Sequence, residues 1–253
     1  MDDYLDKVVL VTGAGRGVGR ELALAFARQG ACVAANDLTP INLDETMRLA
    51  RAELVPTQYA KIQDFLVDVS QKMAVQGMII DILDRWGRLD IVINNAAVRA
   101  KVPLLDMDEW DWRRVLDVNL TGAFIVTQVA GRVMREQGGG VILNITEALQ
   151  DLPGSIPVAA YQASKAGLAE LTRQSARELK EHSVRVNAIA PGLLATESTT
   201  ELYPKGIVMG ESNTTTVEEL PGPVRVSDLA LFLGSPAAGD ITGQIWSLEP
   251  GGV

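Results

Sequence analysis

The chain is poor in the residues that cross-link folds and hold metals. It has one cysteine and one histidine among 253 residues, which excludes an internal disulfide and leaves too few ligands for a Cys/His zinc site. Cys32, set in "ACVAAND", reads as a small buried strand residue, in keeping with a reducing cytoplasm. His182 reads as an exposed residue in a last helical turn, where partial positive charge suits the helix dipole. No apolar run approaches the ~20 residues that span a bilayer, and "MDDYLDKVVLVTG" carries acids where a secretion signal carries bases. Lys and Arg number 23 against 32 Asp and Glu, a formal charge of −9. With no clustered basic face, nucleic acid and anionic membranes are disfavoured as partners. A cytoplasmic enzyme acting on a small molecule is the expectation.

What is present is an ordinary globular composition, 47% apolar and 22% charged, enough to bury one α/β core. Short runs rich in Val and Ile recur at "KVVLVTG", "CVAAND", "FLVDVS", "DIVINNA", "GVILNIT", "VRVNAIAPG" and "GQIWSLEP". Segments of helical periodicity separate most of them, which predicts a parallel sheet; their near-continuous apolar character predicts helices on both faces. One such helix is "GRELALAFARQG", with Leu22, Ala25 and Phe26 on one face and Gly30 as its stop. In the segment from Asp108 to Arg135, Trp110, Trp112 and Phe124 read as core or subunit contacts. No linker or repeat is visible, so residues 1–253 read as a single domain. The least regular stretch, about 193–225, reads as a substrate-side flap.

The first strand runs into "TGAGRGVGRELALAFA", with Gly13, Gly15, Gly17 and Gly19 on the turn into a helix. Glycines let the backbone approach a pyrophosphate, and the helix N-terminus offers unpaired N–H groups and a favourable dipole. Asp37 ends the second strand, 24 residues after Gly13. A carboxylate there can accept both hydroxyls of the adenosine ribose and repels a 2′-phosphate, so NAD is favoured over NADP. Arg16 pulls the other way but can turn to solvent.

Tyr161 and Lys165 stand four apart on "AAYQASKAGLAELTRQSARELK" and share one helical face. An ammonium beside a phenol lowers a pKa that starts near ~10, so Tyr161 can act as acid/base in a carbonyl–alcohol interconversion.

Several signatures then follow in order: T-G-x-x-x-G-x-G at Thr12, Gly13, Gly17 and Gly19, "DV" at Asp68 and Val69, "NNAA" at Asn94 to Ala97 and "VN" at Val118 and Asn119. After them come Y-x-x-x-K at Tyr161 and Lys165, "PG" at Pro191 and Gly192 with Thr196, and "ITGQ" at Ile241 to Gln244. From about Lys7 to Val253 the chain resembles the short-chain dehydrogenases/reductases. The resemblance implies an α/β fold, a doubly wound Rossmann-type three-layer domain with a seven-stranded parallel sheet, usually assembled as a homotetramer or dimer. It implies that Asp68 and Val69 bracket the adenine, that Asn95, Ala96 and Ala97 line the ribose, and that Thr196 lies near the nicotinamide amide or pyrophosphate. Val18, Leu38, Pro191, Gly192 and Leu194 complete the implied dinucleotide site. Lys165 would hold the nicotinamide ribose, and Asn119 would position a water that links the lysine to solvent.

The family has a serine at the end of the fifth strand. Laying its pattern on "NITE" puts Glu147 there; counting back from Tyr161 puts Ala148 there. Three roles stay open: a protonated Glu147 donating to a substrate carbonyl, an ionised Glu147 accepting from a hydroxyl or cation, or Thr146 as a substitute hydroxyl. The protonated form is favoured, because an anion beside a phenolate is repulsive. Leu149, Leu152, Ile156, Leu193 and Tyr203 are candidates for an apolar pocket wall. The function expected is an NAD-dependent oxidoreductase interconverting a small alcohol and a ketone. Its competitor is a dinucleotide-binding protein with little turnover, acting as a sensor or assembly partner.

Overall fold

The computed structural model describes residues 3–147, 158–203, 206–209 and 214–248. Strand and helix alternate through β1 (Val8–Thr12), α1 (Gly17–Arg28), β2 (Cys32–Asp37), α2 (Pro40–Glu53), the single turn α3 (Pro56–Tyr59), β3 (Ile62–Leu66), α4 (Lys72–Trp86) and β4 (Ile91–Asn94). They continue through α5 (Glu109–Leu116), α6 (Ala123–Gln137), β5 (Gly140–Ile145), α7 (Ala159–Leu179), β6 (Val184–Ala190), α8 (Glu197–Leu202), the short strands β7 (Ile207–Met209) and β8 (Thr214–Thr216), α9 (Val224–Gly234) and β9 (Ile245–Ser247). Seven strands form one sheet in the order β3-β2-β1-β4-β5-β6-β9, every pair parallel. This is the doubly wound three-layer α/β architecture expected from the sequence.

The unbroken apolar character of the inner strands follows from their double burial. In β1, Val9 and Val11 point into one core with Leu22 and Phe26 of α1 and Leu233 of α9. Val8 and Leu10 point into the other, with Met78, Ile79 and Ile82 of α4 and Met134 of α6. Because strand side chains alternate, one run of four apolar residues serves two layers. Inner strands whose alternate residues were polar would bury unpaired groups on one side.

Three expectations need correction. The third strand is Ile62–Leu66 rather than "FLVDVS", and its burial alternates. It lies at the sheet's edge and pairs only with β2, so Gln63 and Asp64 are tolerated inside it and an apolar-run criterion lands several residues late. Trp110, Trp112 and Phe124 are all exposed, Trp110 at 65%, and so belong to no core of the monomer. The segment expected as irregular contains a helix, a strand pair and a short 3-10 turn at Val217–Glu219.

On the edge of the sheet where the strands begin, Asp90 ties β1 to β4. Its carboxylate accepts the Val8 N–H at 2.9 Å, Lys7 Nζ at 3.2 Å and Arg88 Nε at 2.7 Å. Burial alone would raise this carboxyl, but the three donors outweigh it and hold its pKa below the ordinary range. A carboxyl depressed on folding contributes stability above its unfolded pKa, and that contribution is lost as pH falls through the folded value. Asp90→Asn should therefore cost about 1–3 kcal/mol in denaturant melts near neutrality. The two proteins' stabilities should converge as pH falls below the ordinary carboxylate range; a difference that persists there would contradict this assignment.

Candidate active site

The sheet order reverses between β1 and β4: the chain builds outward to β3 on one side and to β9 on the other. The loops that leave these two strands diverge, opening a crevice at their carboxyl ends. A cavity of about 660 Å³ lies there, and with the exception of Gly15 the residues the sequence assigns to cofactor binding line it, from Gly13 through Asp37 and Asp68 to Thr196.

The floor at one end is the glycine turn. Gly13 adopts a φ of +64°, and a Cβ there would sit 2.8 Å from Ala96 Cα; a Cβ on Gly19 would sit 2.0 Å from the Gly13 carbonyl oxygen. These glycines are therefore required by close backbone approach. The Asn95 side chain locks the arrangement, its Nδ2 donating to the Thr12 and Gly13 carbonyls, each at 3.0 Å. Thr12 Oγ1 accepts the N–H groups of Asn95 at 3.0 Å and Ala96 at 3.1 Å. The first turn of α1 carries no acidic residue, so the helix N-terminus presents positive potential to the cleft. At the end of β2, Asp37 Oδ2 accepts the Gly15 N–H and Oδ1 the Thr39 N–H, both at 2.9 Å. A Cβ on Gly15 would lie 2.7 Å from that carboxylate. Arg16 and Arg20 are paired with Glu201 and Glu197 at either end of α8. A turn only glycine can form, a helix N-terminus and a strand-end carboxylate together suit a pyrophosphate and an adenosine ribose.

At the other end, α7 brings Tyr161 and Lys165 to the cleft. Lys165 is 3% exposed, and its Nζ donates to the Ile145 carbonyl at 2.7 Å. Burial pushes its pKa down to about 8. The Tyr161 hydroxyl donates to Glu147 Oε2 at 2.8 Å. Burial, and then the neighbouring Glu147 charge, raises the phenol above its ordinary value, while Arg99 opposes the rise.

Arg99 was not among the residues singled out from the sequence. Its guanidinium carbon lies 4.0 Å from the centre of the Tyr161 ring, and its Nη2 is 3.4 Å from Glu147 Oε2. The usable signal was its position: a base directly after "NNAAV", on the loop leaving a strand's carboxyl end. This pairing bears on Glu147. Glu147 thus accepts from the phenol and lies beside an opposite charge.

The remaining candidates divide. Asn119 is buried in a wide π turn, Asp117–Gly122, outside the cleft lining. Its Oδ1 accepts the Val98 N–H at 2.8 Å, and its Nδ2 donates to the Val98 carbonyl at 2.9 Å and to Ser164 Oγ at 3.0 Å. Thr146 donates its hydroxyl to the Ile189 carbonyl at 3.1 Å, which occupies the group considered as a substitute for serine. Asp68 accepts from the N–H and hydroxyl of Ser70. Leu193 lines the cleft; Tyr203 packs with Leu202 and Val217 within the flap itself and is not among the described residues that line the cleft. Ala148, Leu149, Leu152 and Ile156 lie outside the described residues. No helix among the described residues is long and apolar enough to cross a membrane.

Residues 7–206 match the short chain dehydrogenase family. The chain is 33% identical over 250 residues to a 3-oxoacyl-(acyl-carrier-protein) reductase of Thermotoga maritima, covering 97% of each. It is 35% identical over 240 residues to a (3R)-3-hydroxyacyl-CoA dehydrogenase of Mus musculus, covering 93% of this chain and 92% of that one. A short chain dehydrogenase from Mycobacterium smegmatis superposes with a TM-score of 0.82 at 30% identity, over 100% of this chain and 95% of that one. On these matches, and on a glycine turn and a Tyr–Lys pair facing one cleft, the chain belongs to the short-chain dehydrogenase/reductase family of NAD(P)-dependent oxidoreductases.

Proposed function

We propose that the protein is an NAD-dependent oxidoreductase that interconverts a small alcohol and a ketone, with Tyr161 as acid/base. The observation that carries this reading is that the Tyr161 hydroxyl and the Lys165 ammonium face the same cleft that begins at the glycine turn. A bound nicotinamide would supply the hydride acceptor or donor. Tyr161 takes the substrate's hydroxyl proton in oxidation and returns it in reduction. Lys165, 5.6 Å from the phenol ring centre, stabilises the phenolate electrostatically, and Arg99 adds to it from the ring face. Asn119 positions the loop that carries Arg99. Glu147 stands where the family has its serine and acts as an acceptor for the phenol or a substrate hydroxyl.

The preference for NAD rests on Asp37 and on the pairing of Arg16. A 2′-phosphate beside Asp37 would meet a carboxylate already fixed by two backbone N–H groups, and the one base in the turn is drawn to Glu201. The exposed Trp112 and Phe124 support assembly into a dimer or tetramer through these helices, and the lone buried Cys32 suits a cytoplasmic setting.

A second reading, a dinucleotide-binding protein with little turnover, is favoured by one observation: the Tyr161 hydroxyl is held by Glu147, which keeps the phenol neutral. Following NAD reduction over a panel of alcohols separates the two. The enzyme reading expects turnover that drops about 10²–10⁴-fold in Tyr161→Phe; a flat panel with intact NADH binding supports the binder. Glu147→Gln removes a charge that raises the phenol, so the limb of the rate profile set by Tyr161 should move to lower pH. A limb that stays put would remove Glu147 from the site's electrostatics. For the cofactor, NADH should bind at least about tenfold more tightly than NADPH, ~1.4 kcal/mol. Asp37→Ser should narrow that ratio, and equal affinities in the parent protein would overturn the preference.

A further inference from the structure

We propose that Arg99 anchors an anionic group of the substrate, so that the cleft selects α- or β-hydroxy acids and their oxo acids over neutral alcohols and ketones. The proposal rests on the oxidoreductase reading above and adds the substrate class.

The charge distribution carries it. The groups nearest the Tyr161 phenol are Arg99 and Lys165 on one side of the balance and Glu147 on the other. Their sum is one positive charge, on a chain whose net charge is −9. Arg113 and Arg114 add cations to the wall of the same cleft, against Asp117; Arg113 is shared with Glu109. An ammonium-bearing substrate would find its attraction to Glu147 offset by two cations close by. A carboxylate neutralises the excess.

Geometry agrees. A guanidinium has five N–H donors; Arg99 directs one to Glu147 at 3.4 Å and another to the Tyr161 hydroxyl, which leaves donors for a ligand. The side chain is 20% exposed, so its remaining edges reach the cleft. A guanidinium lying against the phenol ring sits close to where a carbinol oxygen must meet Tyr161. A carboxylate on the next carbon, or the one after, falls within its reach, and planar bidentate pairing is what arginine offers over lysine. The loop is also preorganised: both backbone groups of Val98, the preceding residue, are held by Asn119, itself held by Ser164. The carboxylate takes no part in the bond changes.

If Arg99 served only to neutralise Glu147, the two residues would form a structural pair, and removing either would disturb ligands alike. As an anchor that Glu147 competes for, Arg99 gives effects of opposite sign. Butyrate, which has no group to oxidise or reduce at its β-carbon, and its neutral match butyramide can be titrated by calorimetry with and without saturating NADH. Butyrate should bind at least tenfold more tightly than butyramide. Arg99→Gln should weaken butyrate at least tenfold, Arg99→Lys should recover part of the loss, and Glu147→Gln should tighten binding. Equal binding of acid and amide, no binding of butyrate, or shifts of the same sign in the Arg99→Gln and Glu147→Gln variants would overturn the proposal. NADH affinity measured alongside keeps the readings apart: failure to bind NADH sinks the oxidoreductase reading, while the butyrate series decides on Arg99 either way.

Discussion

The clamp between the first glycine turn and the end of β4 is the constraint on which the site depends. Asn95 reaches back to the carbonyls of Thr12 and Gly13, while Thr12 receives the backbone of Asn95 and Ala96. Four hydrogen bonds join two strands that lie side by side but whose loops depart in opposite directions. A crevice at a switch point follows from sheet topology; this clamp keeps its floor flat. Gly13 and Gly19 permit it because a Cβ at either would strike backbone. Asn95, read from the sequence as a ribose-lining residue, thus lines the cleft with a side chain already committed to holding the turn.

A second arrangement sets the electrostatics at the other end of the cleft. Tyr161, Glu147 and Arg99 form a compact set in which the phenol donates to the carboxylate and the guanidinium touches both. The carboxylate raises the phenol's pKa and the guanidinium lowers it, so small displacements of either change the proton affinity of Tyr161 substantially in a site shielded from water. Lys165 is anchored to the Ile145 carbonyl, and burial pushes its pKa down to about 8.

Much of this was legible in the chain. Inner strands declared themselves as apolar runs because both faces are covered, and β3 did not because an edge strand buries one face. Gly13, Gly19 and Asp37 were readable since each residue type answers a local demand at a strand end. Trp110 and Phe124 stayed open between core and subunit contact because an apolar residue at helical spacing does not say whether its face meets the sheet or the outside. Arg99 escaped because nothing in a lone loop arginine names its partners. Those partners, Glu147 and Tyr161, lie 48 and 62 positions away along the chain.

By itself, then, the sequence determined the layer architecture, the glycine turn and the Tyr–Lys pair, since each rests on periodicity or on spacing within one element and its turn. Tertiary structure alone decided the partners of Glu147 and the company of Arg16. A pKa and an ion pair depend on which charges from distant segments come within a few ångströms, and that distance is set only when β4, β5, α7 and α8 converge on one cleft.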